Sequence, residues 1–220
     1  MSRDATEQTF LKDVAQHRMQ VLRDDGVYRH VRFATPGTVN MSFELVTWPG
    51  RLCYAGDMGT FVFERLADMF QFFRSEARPD GRLRINLSYW SEKLEAVDGG
   101  RTGGSAKEFS EEKFRRVVRE QIVSWWRDVR DLGRKGRREL REAVEFDVLH
   151  CLGDDSSGNA AMQAAYDFTA RIGGREFVFR DLWDHDFTDY TQRFVWCCYA
   201  LAWGIRQYDA RRNAAERQAA

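Results

Sequence analysis

The run from Val39 to Arg74, VNMSFELVTWPGRLCYAGDMGTFVFERLADMFQFFR, constrains the fold most, because it carries two strand patterns, the turn between them and a helix pattern without a break. Val39, Met41, Phe43 and Leu45 alternate with Asn40, Ser42 and Glu44, the period of a strand with one buried face. Trp48-Pro49-Gly50-Arg51 has type II turn chemistry: proline presets φ at the second position and glycine accepts a positive φ at the third. Leu52 to Ala55 is then the return strand and Gly56-Asp57-Met58-Gly59 a glycine-bounded loop. Leu66, Met69, Phe70 and Phe73 follow at the spacing of a helix face, so the stretch predicts a hairpin feeding a helix.

Upstream, Glu7 to Val14 reads as a short opening helix. His17 to Arg23 and Val27 to Phe33 read as strands joined by the hairpin residues Asp24-Asp25-Gly26. Together these segments predict a four-stranded antiparallel meander whose inner face carries Met19, Val21, Val31, Phe33, Met41, Phe43 and Leu45, covered by the Leu66 to Phe73 helix. Leu83 to Leu87 is a further strand candidate, and Tyr89 to Val97 a helix capped by Ser88. The glycines between Asp98 and Ser105 predict a flexible linker; the string lacks the Gly-Lys-Ser/Thr ending of a phosphate loop.

Beyond it the chain turns helical. Ser110 caps a helix whose apolar face is Phe114, Val117, Val118, Ile122, Trp125 and Val129; Gly133 and Gly136 interrupt it, and Arg137 to Leu152 resumes. Ala160 to Ala170 is helical and Gly173-Gly174 marks a small hairpin. The last helix starts at Thr188 or Asp189 and is apolar on every side from Phe194 to Trp203, which predicts burial all round. The class is α+β, in three parts: a sheet-and-helix region over 1–98, a linker over 99–109, and a mainly helical region over 110–220 whose last helix packs back on the first.

Composition narrows the function classes. Lys plus Arg and Asp plus Glu balance at 34 each, so no global field favours nucleic acid or an anionic membrane. The longest apolar run, Phe194 to Trp203, is far shorter than the roughly 20 residues a bilayer demands. The amino-terminal residues have no apolar core, which predicts a soluble, cytoplasmic chain. Cys53, Cys151, Cys197 and Cys198 form no CxxC pair and read as reduced thiols, with no metal and no cofactor expected.

Four constellations bear on chemistry. Asp57, between glycines at a strand end, suits a turn cap, a partner contact or a carboxylate ligand. Asp184-His185-Asp186 crowds a histidine with acids and, with Asp57, carries the alternative of a metal-dependent hydrolase, but neighbours on an extended chain point to opposite sides. His17 and His30 show no carboxylate partner at a recognisable spacing, and no catalytic residue is nominated. Arg115, Arg119, Arg127 and Arg130, with Trp125-Trp126 among them, carry a nucleic-acid-binding alternative over 111–142, against which interleaved acids describe an ordinary solvated helix.

The strings WPGRLCYAGDMGTFVFERLADMFQFFR (48–74), INLSYWSEKLEAVD (85–98) and FVWCCYALAWGIRQYD (194–209) resemble a widespread family of bacteriophage and prophage proteins, in order and over nearly the whole chain. More distantly, the chain is similar to phage anti-defence proteins that inhibit the Gabija nuclease system by binding the defence complex and blocking its access to DNA. The resemblance implies a phage accessory protein in the cytoplasm of a bacterial host, acting by binding a host protein such as a defence nuclease complex. It assigns no individual contact residue. The residues nominated for partner binding come from the hairpin reading: Trp48, Tyr54, Asp57, Met58, Arg65 and Arg74.

Overall fold

A computed structural model describes residues 5–74, 81–100, 103–129, 131–153 and 157–219. The fold is α+β, an amino-terminal antiparallel sheet followed by a mainly helical half that ends in a long helix. It forms two compact units, one from the described residues of Met1–Lys107 with Tyr190–Ala220, the other from those of Glu108–Asp189.

The first unit holds α1 (Glu7–Asp13) and a six-stranded meander, β1 (Arg18–Asp25), β2 (Tyr28–Ala34), β3 (Phe43–Trp48), β4 (Arg51–Gly56), β5 (Gly59–Glu64) and β6 (Leu94–Val97), each strand pairing with the next in sequence. The sheet therefore has two strands more than the alternation pattern suggested, and both gains have local causes. Gly56 pairs with Gly59 across the turn at Asp57-Met58, so the chain reverses at once and continues as β5, burying Phe61 and Phe63 on the face shared with Leu52 and Tyr54. The expected Leu66 to Phe73 helix shrinks to α2 (Met69–Phe73), started by the Asp68 side chain, which accepts from Phe70 N–H at 3.0 Å. Likewise the expected helix over Tyr89 to Val97 stops early. Asn86, not Ser88, caps α3 (Leu87–Ser91), Leu83 is not in a strand, and β6 follows.

At the start of β3 the alternation misled. Val39 lies exposed in a loop and Met41 has a φ of 54°, so pairing begins only at Phe43. The Trp48–Arg51 turn is as the sequence indicates, with Gly50 at φ 84°. Gly56 serves a different purpose: a Cβ there would stand 2.4 Å from Ser42 O and 2.8 Å from Phe43 Cα, so two backbones approach where no side chain fits.

One helix, α7 (Gln192–Ala219), packs its stretch from Phe194 to Tyr208 into the core of this sheet. It starts from Thr191, whose hydroxyl accepts from Phe194 N–H at 3.2 Å; Thr188, a candidate for that start, belongs to a strand, as does Asp189. Phe194, Trp196, Cys197, Cys198, Ala200 and Leu201 are buried against Phe33, Phe43, Leu45, Tyr54, Phe61 and Phe63 in one hydrophobic cluster. Phe43 stacks on Phe33 at 4.8 Å and meets Trp196 edge-on at 5.7 Å. Gly204 lets the helix settle onto the sheet, since a Cβ there would come within 3.1 Å of Leu45 and Phe33. Burial pushes the Cys197 and Cys198 thiols well above their usual range, so both are inert core residues.

Polar ties close the edges of the same core. Arg29, almost fully buried, donates twice to Asp68 at 2.8 and 3.1 Å and lies 4.9 Å over the Phe70 ring. Tyr208 of α7 donates to Asp24 at 2.7 Å, and Arg74 grips Asp209 through two bonds of 2.8 Å. Burial alone would raise the Asp68 carboxyl, but the Arg29 guanidinium and the Phe70 N–H outweigh it and hold the group below the usual carboxylate range.

In the second unit α4 (Glu111–Asp128) begins at Ser110, whose hydroxyl accepts from Lys113 N–H, and buries Phe114, Val117, Val118 and Ile122. α5 (Gly133–Asp147) runs through Gly136 without interruption, because that glycine is buried where a Cβ would press on Leu132 and Ile172. A short 3-10 turn (Leu149–Gly153) leads to α6 (Asn159–Asp167) and the hairpin β8 (Thr169–Ile172) and β9 (Arg175–Val178), turned by Gly173 and Gly174 at positive φ. β7 (Lys107–Phe109) and β10 (Thr188–Tyr190) pair as a short ribbon. In the glycine-rich stretch, Gly104 N–H returns to Asp98 O at 3.1 Å.

Candidate protein-binding groove

The six nominated hairpin residues do not converge. Trp48 sits half-buried at the β3–β4 tip opposite Arg51, and Arg65 joins it there through a backbone bond to Gly50 O at 3.2 Å. Asp57 and Met58 occupy the opposite end of β4, about 17 Å away at the rise of a strand. Asp57 Oδ2 accepts from Met41 N–H at 3.1 Å, and Asp57 N–H donates to Ser42 O at 3.0 Å, so this carboxylate pins the loop before β3. Tyr54 presents no surface at all: it is fully buried between Phe43 and Phe61, and burial lifts its phenol well above the usual range. Arg74 is engaged by Asp209.

Of the hydrolase candidates on the last loop, only Asp186 holds a side-chain hydrogen bond among the described residues. Asp186 accepts from the Thr188 N–H at 2.9 Å and hydroxyl at 2.6 Å, a local turn, and its neighbours Asp184 and His185 are exposed. Among the described residues no group of three or more His, Cys, Asp or Glu side chains is placed to hold a metal ion. His30 does have a carboxylate partner, contrary to the sequence reading, since Nε2 lies 2.6 Å from Glu44 Oε2. The β2–β3 register sets Arg32 opposite Glu44, which places His30 on the diagonal. His17 is outside the strands and bonds Met41 O and Thr35.

Of the arginines nominated for nucleic acid, Arg115 is shared between Glu111 at 3.9 Å and Glu145 at 3.7 Å, and Arg130 lies outside the described residues. Arg119 and Arg127 are exposed and make none of the ion pairs among the described residues. Each of α4 and α5 carries five cations against four acids, so neither is a strongly basic rod.

What the two helices do build is a groove. Packing α5 beside α4 leaves an open hollow of about 610 Å³ with Ile122, Val144 and Leu149 as its floor, Val123 and Trp126 on the α4 wall, and Arg119 and Arg141 on its lips. A second hollow of about 540 Å³ shares Glu142, Glu145 and Leu149 with the first and is bounded by Phe146 and His150, whose rings stack at 6.4 Å. Phe146 is 77% exposed, the most exposed aromatic side chain among the described residues. The Trp126 Nε1 is buried without a hydrogen-bond partner, and the Arg137 guanidinium lies 5.9 Å over the ring.

No family model matches the chain, and no curated protein or solved structure matches it at a significant level. The groove is the feature that sequence reading missed. Trp125-Trp126 among the arginines was its visible signal, but the two tryptophans separate in the structure: Trp125 packs edge-on against Phe177 at 5.5 Å while Trp126 turns to the groove. Val123, off the buried face of α4, acquires meaning only once α5 lies beside it.

Proposed function

We propose that this chain works by binding another protein, with the α4–α5 groove as its docking surface. The observation that carries this reading is a hollow with an apolar floor on a polar helix pair, walled by Val123 and Trp126 with arginines on its lips, next to a second, more polar hollow edged by the exposed Phe146. Aromatic and arginine side chains around an apolar centre are the anchors that dominate protein interfaces. The described geometry supports catalysis less: of the hydrolase candidates, Asp57 and Asp186 each hold a structural bond, and Asp184 and His185 stand exposed on the loop beside Asp186. The phage setting, the bacterial cytoplasm and a host defence nuclease complex as target rest on the motif resemblance alone; the groove supports docking without naming the partner.

Capture from a bacterial lysate by the immobilised full-length chain tests the reading. The wild type is expected to recover a host protein in stoichiometric amount and V123K, which puts a charge on the groove wall, to lose it. Equal recovery by both proteins, or no stoichiometric protein from repeated captures, overturns the proposal.

A further inference from the structure

We infer that the occupant of the α4–α5 groove is an acidic amphipathic helix, an inference that rests on the docking reading above. Backbone chemistry selects the helix. The walls of the groove are α-helices whose amide and carbonyl groups are spent within α4 and α5, so they offer no strand edge to an extended peptide. A segment lying on Ile122, Val144 and Leu149 must satisfy its own main-chain groups, and a helix does so while presenting apolar side chains at three- and four-residue spacing. The adjoining hollow adds Phe146 and Leu152 beside Leu149, among the charged side chains of Glu111, Arg115, Glu142 and Glu145.

Charge selects the acid. Each carboxylate on the rim has a cation beside it, Glu142 facing Arg138 at 3.4 Å and Glu145 facing Arg115 at 3.7 Å, a guanidinium it shares with Glu111 at 3.9 Å. Arg119 and Arg141, on the same rim, make none of the ion pairs among the described residues and are exposed. The two charged groups around the apolar floor that make none of the ion pairs among the described residues are both arginines, and a partner with glutamates or aspartates flanking its apolar stripe engages them. A phosphate backbone is the poorer fit: the floor is concave and aliphatic, the Trp126 ring is already covered by Arg137, and acids alternate with the cations along both helices.

The test is a displayed library of helical peptides selected on the full-length wild type, V123K and R119E/R141E, with melting curves to verify that each variant is folded. Wild type is expected to enrich peptides with an apolar stripe flanked by Glu or Asp. Their affinity should fall about tenfold or more on R119E/R141E, which should enrich Lys- and Arg-flanked peptides instead. Apolar peptides without acidic bias, lost on V123K but kept by R119E/R141E, would overturn the acidic helix and leave the docking surface standing. No enrichment on wild type overturns the helical occupant, and the docking reading then stands or falls on the lysate capture. Salt-sensitive binding of a short fluorescein-labelled single-stranded DNA, abolished in R119E/R141E with no peptide enriched, replaces them with a nucleic-acid site.

Discussion

Both units bury aromatic rings, Phe114 and Phe177 among them in the helical one, but the two differ in the rings they leave in water. In the sheet unit Phe33, Phe43, Tyr54, Phe61 and Trp196 meet ring to ring in a sealed interior, and even a guanidinium, that of Arg29, is buried with its carboxylate. In the helical unit the three most exposed aromatic rings among the described residues, Phe146, Tyr166 and Trp183, stand at 77%, 66% and 64% exposure, two of them 6.2 Å apart. Rings inside a core report on stability, whereas rings held in water by a folded scaffold incur a solvation cost that folding does not require. Under the docking reading proposed above, the exposed rings and the groove of the helical unit are the surface for recognition, while the sealed ring cluster serves the stability of the sheet unit.

Substitutions can break that division. Phe43→Ala empties the centre of the sheet unit's aromatic stack and should cost about 4 kcal/mol, read as a lower midpoint in chemical denaturation. Asp68→Asn strands the buried Arg29 charge and should cost about 3 kcal/mol. Because the folded-state pKa of Asp68 is depressed, its contribution is fully present above the unfolded value near about 3.9 and is lost as pH falls through the lower folded value. An acid titration of stability should therefore show a steeper loss below about pH 4 for wild type than for D68N. Gly56→Ala drives a methyl into Ser42 O and Phe43 and should cost about 2 kcal/mol, with the β3–β5 amides exchanging faster. In the helical unit Phe146→Ala should move stability by less than about 0.5 kcal/mol while weakening partner capture. A large stability loss from Phe146→Ala would place that ring in the scaffold.

How much of this was readable in the sequence depends on the range of the interactions involved. The α+β class, the alternation of Val31, Phe33, Phe43 and Leu45, the Pro-Gly turn, the Ser110 cap and the buried last helix follow from patterns within a few residues. β5 was missed although Phe61 and Phe63 alternate with Thr60 and Val62 as a strand face does, because the Gly56–Gly59 loop reads as leading directly to the helix face that begins at Leu66. The His30–Glu44 contact and the Arg29–Asp68 pair join residues 14 and 39 positions apart, set by strand register and by the placement of α2, which no local spacing encodes. Tyr54 was nominated for a partner because it flanks a turn; strand parity sends it inward. The groove lay further out of reach, being a property of two helices together.

The most direct measurement compares one substitution in each unit at equally polar cost: V123K on the groove wall and V39K in the exposed loop of the sheet unit, each assayed by melting and by affinity for a peptide selected on wild type. The account expects both variants to melt as wild type does, with V123K at least about tenfold weaker in binding and V39K unchanged. Equal affinity of V123K and wild type, or loss of binding in V39K alone, would contradict it.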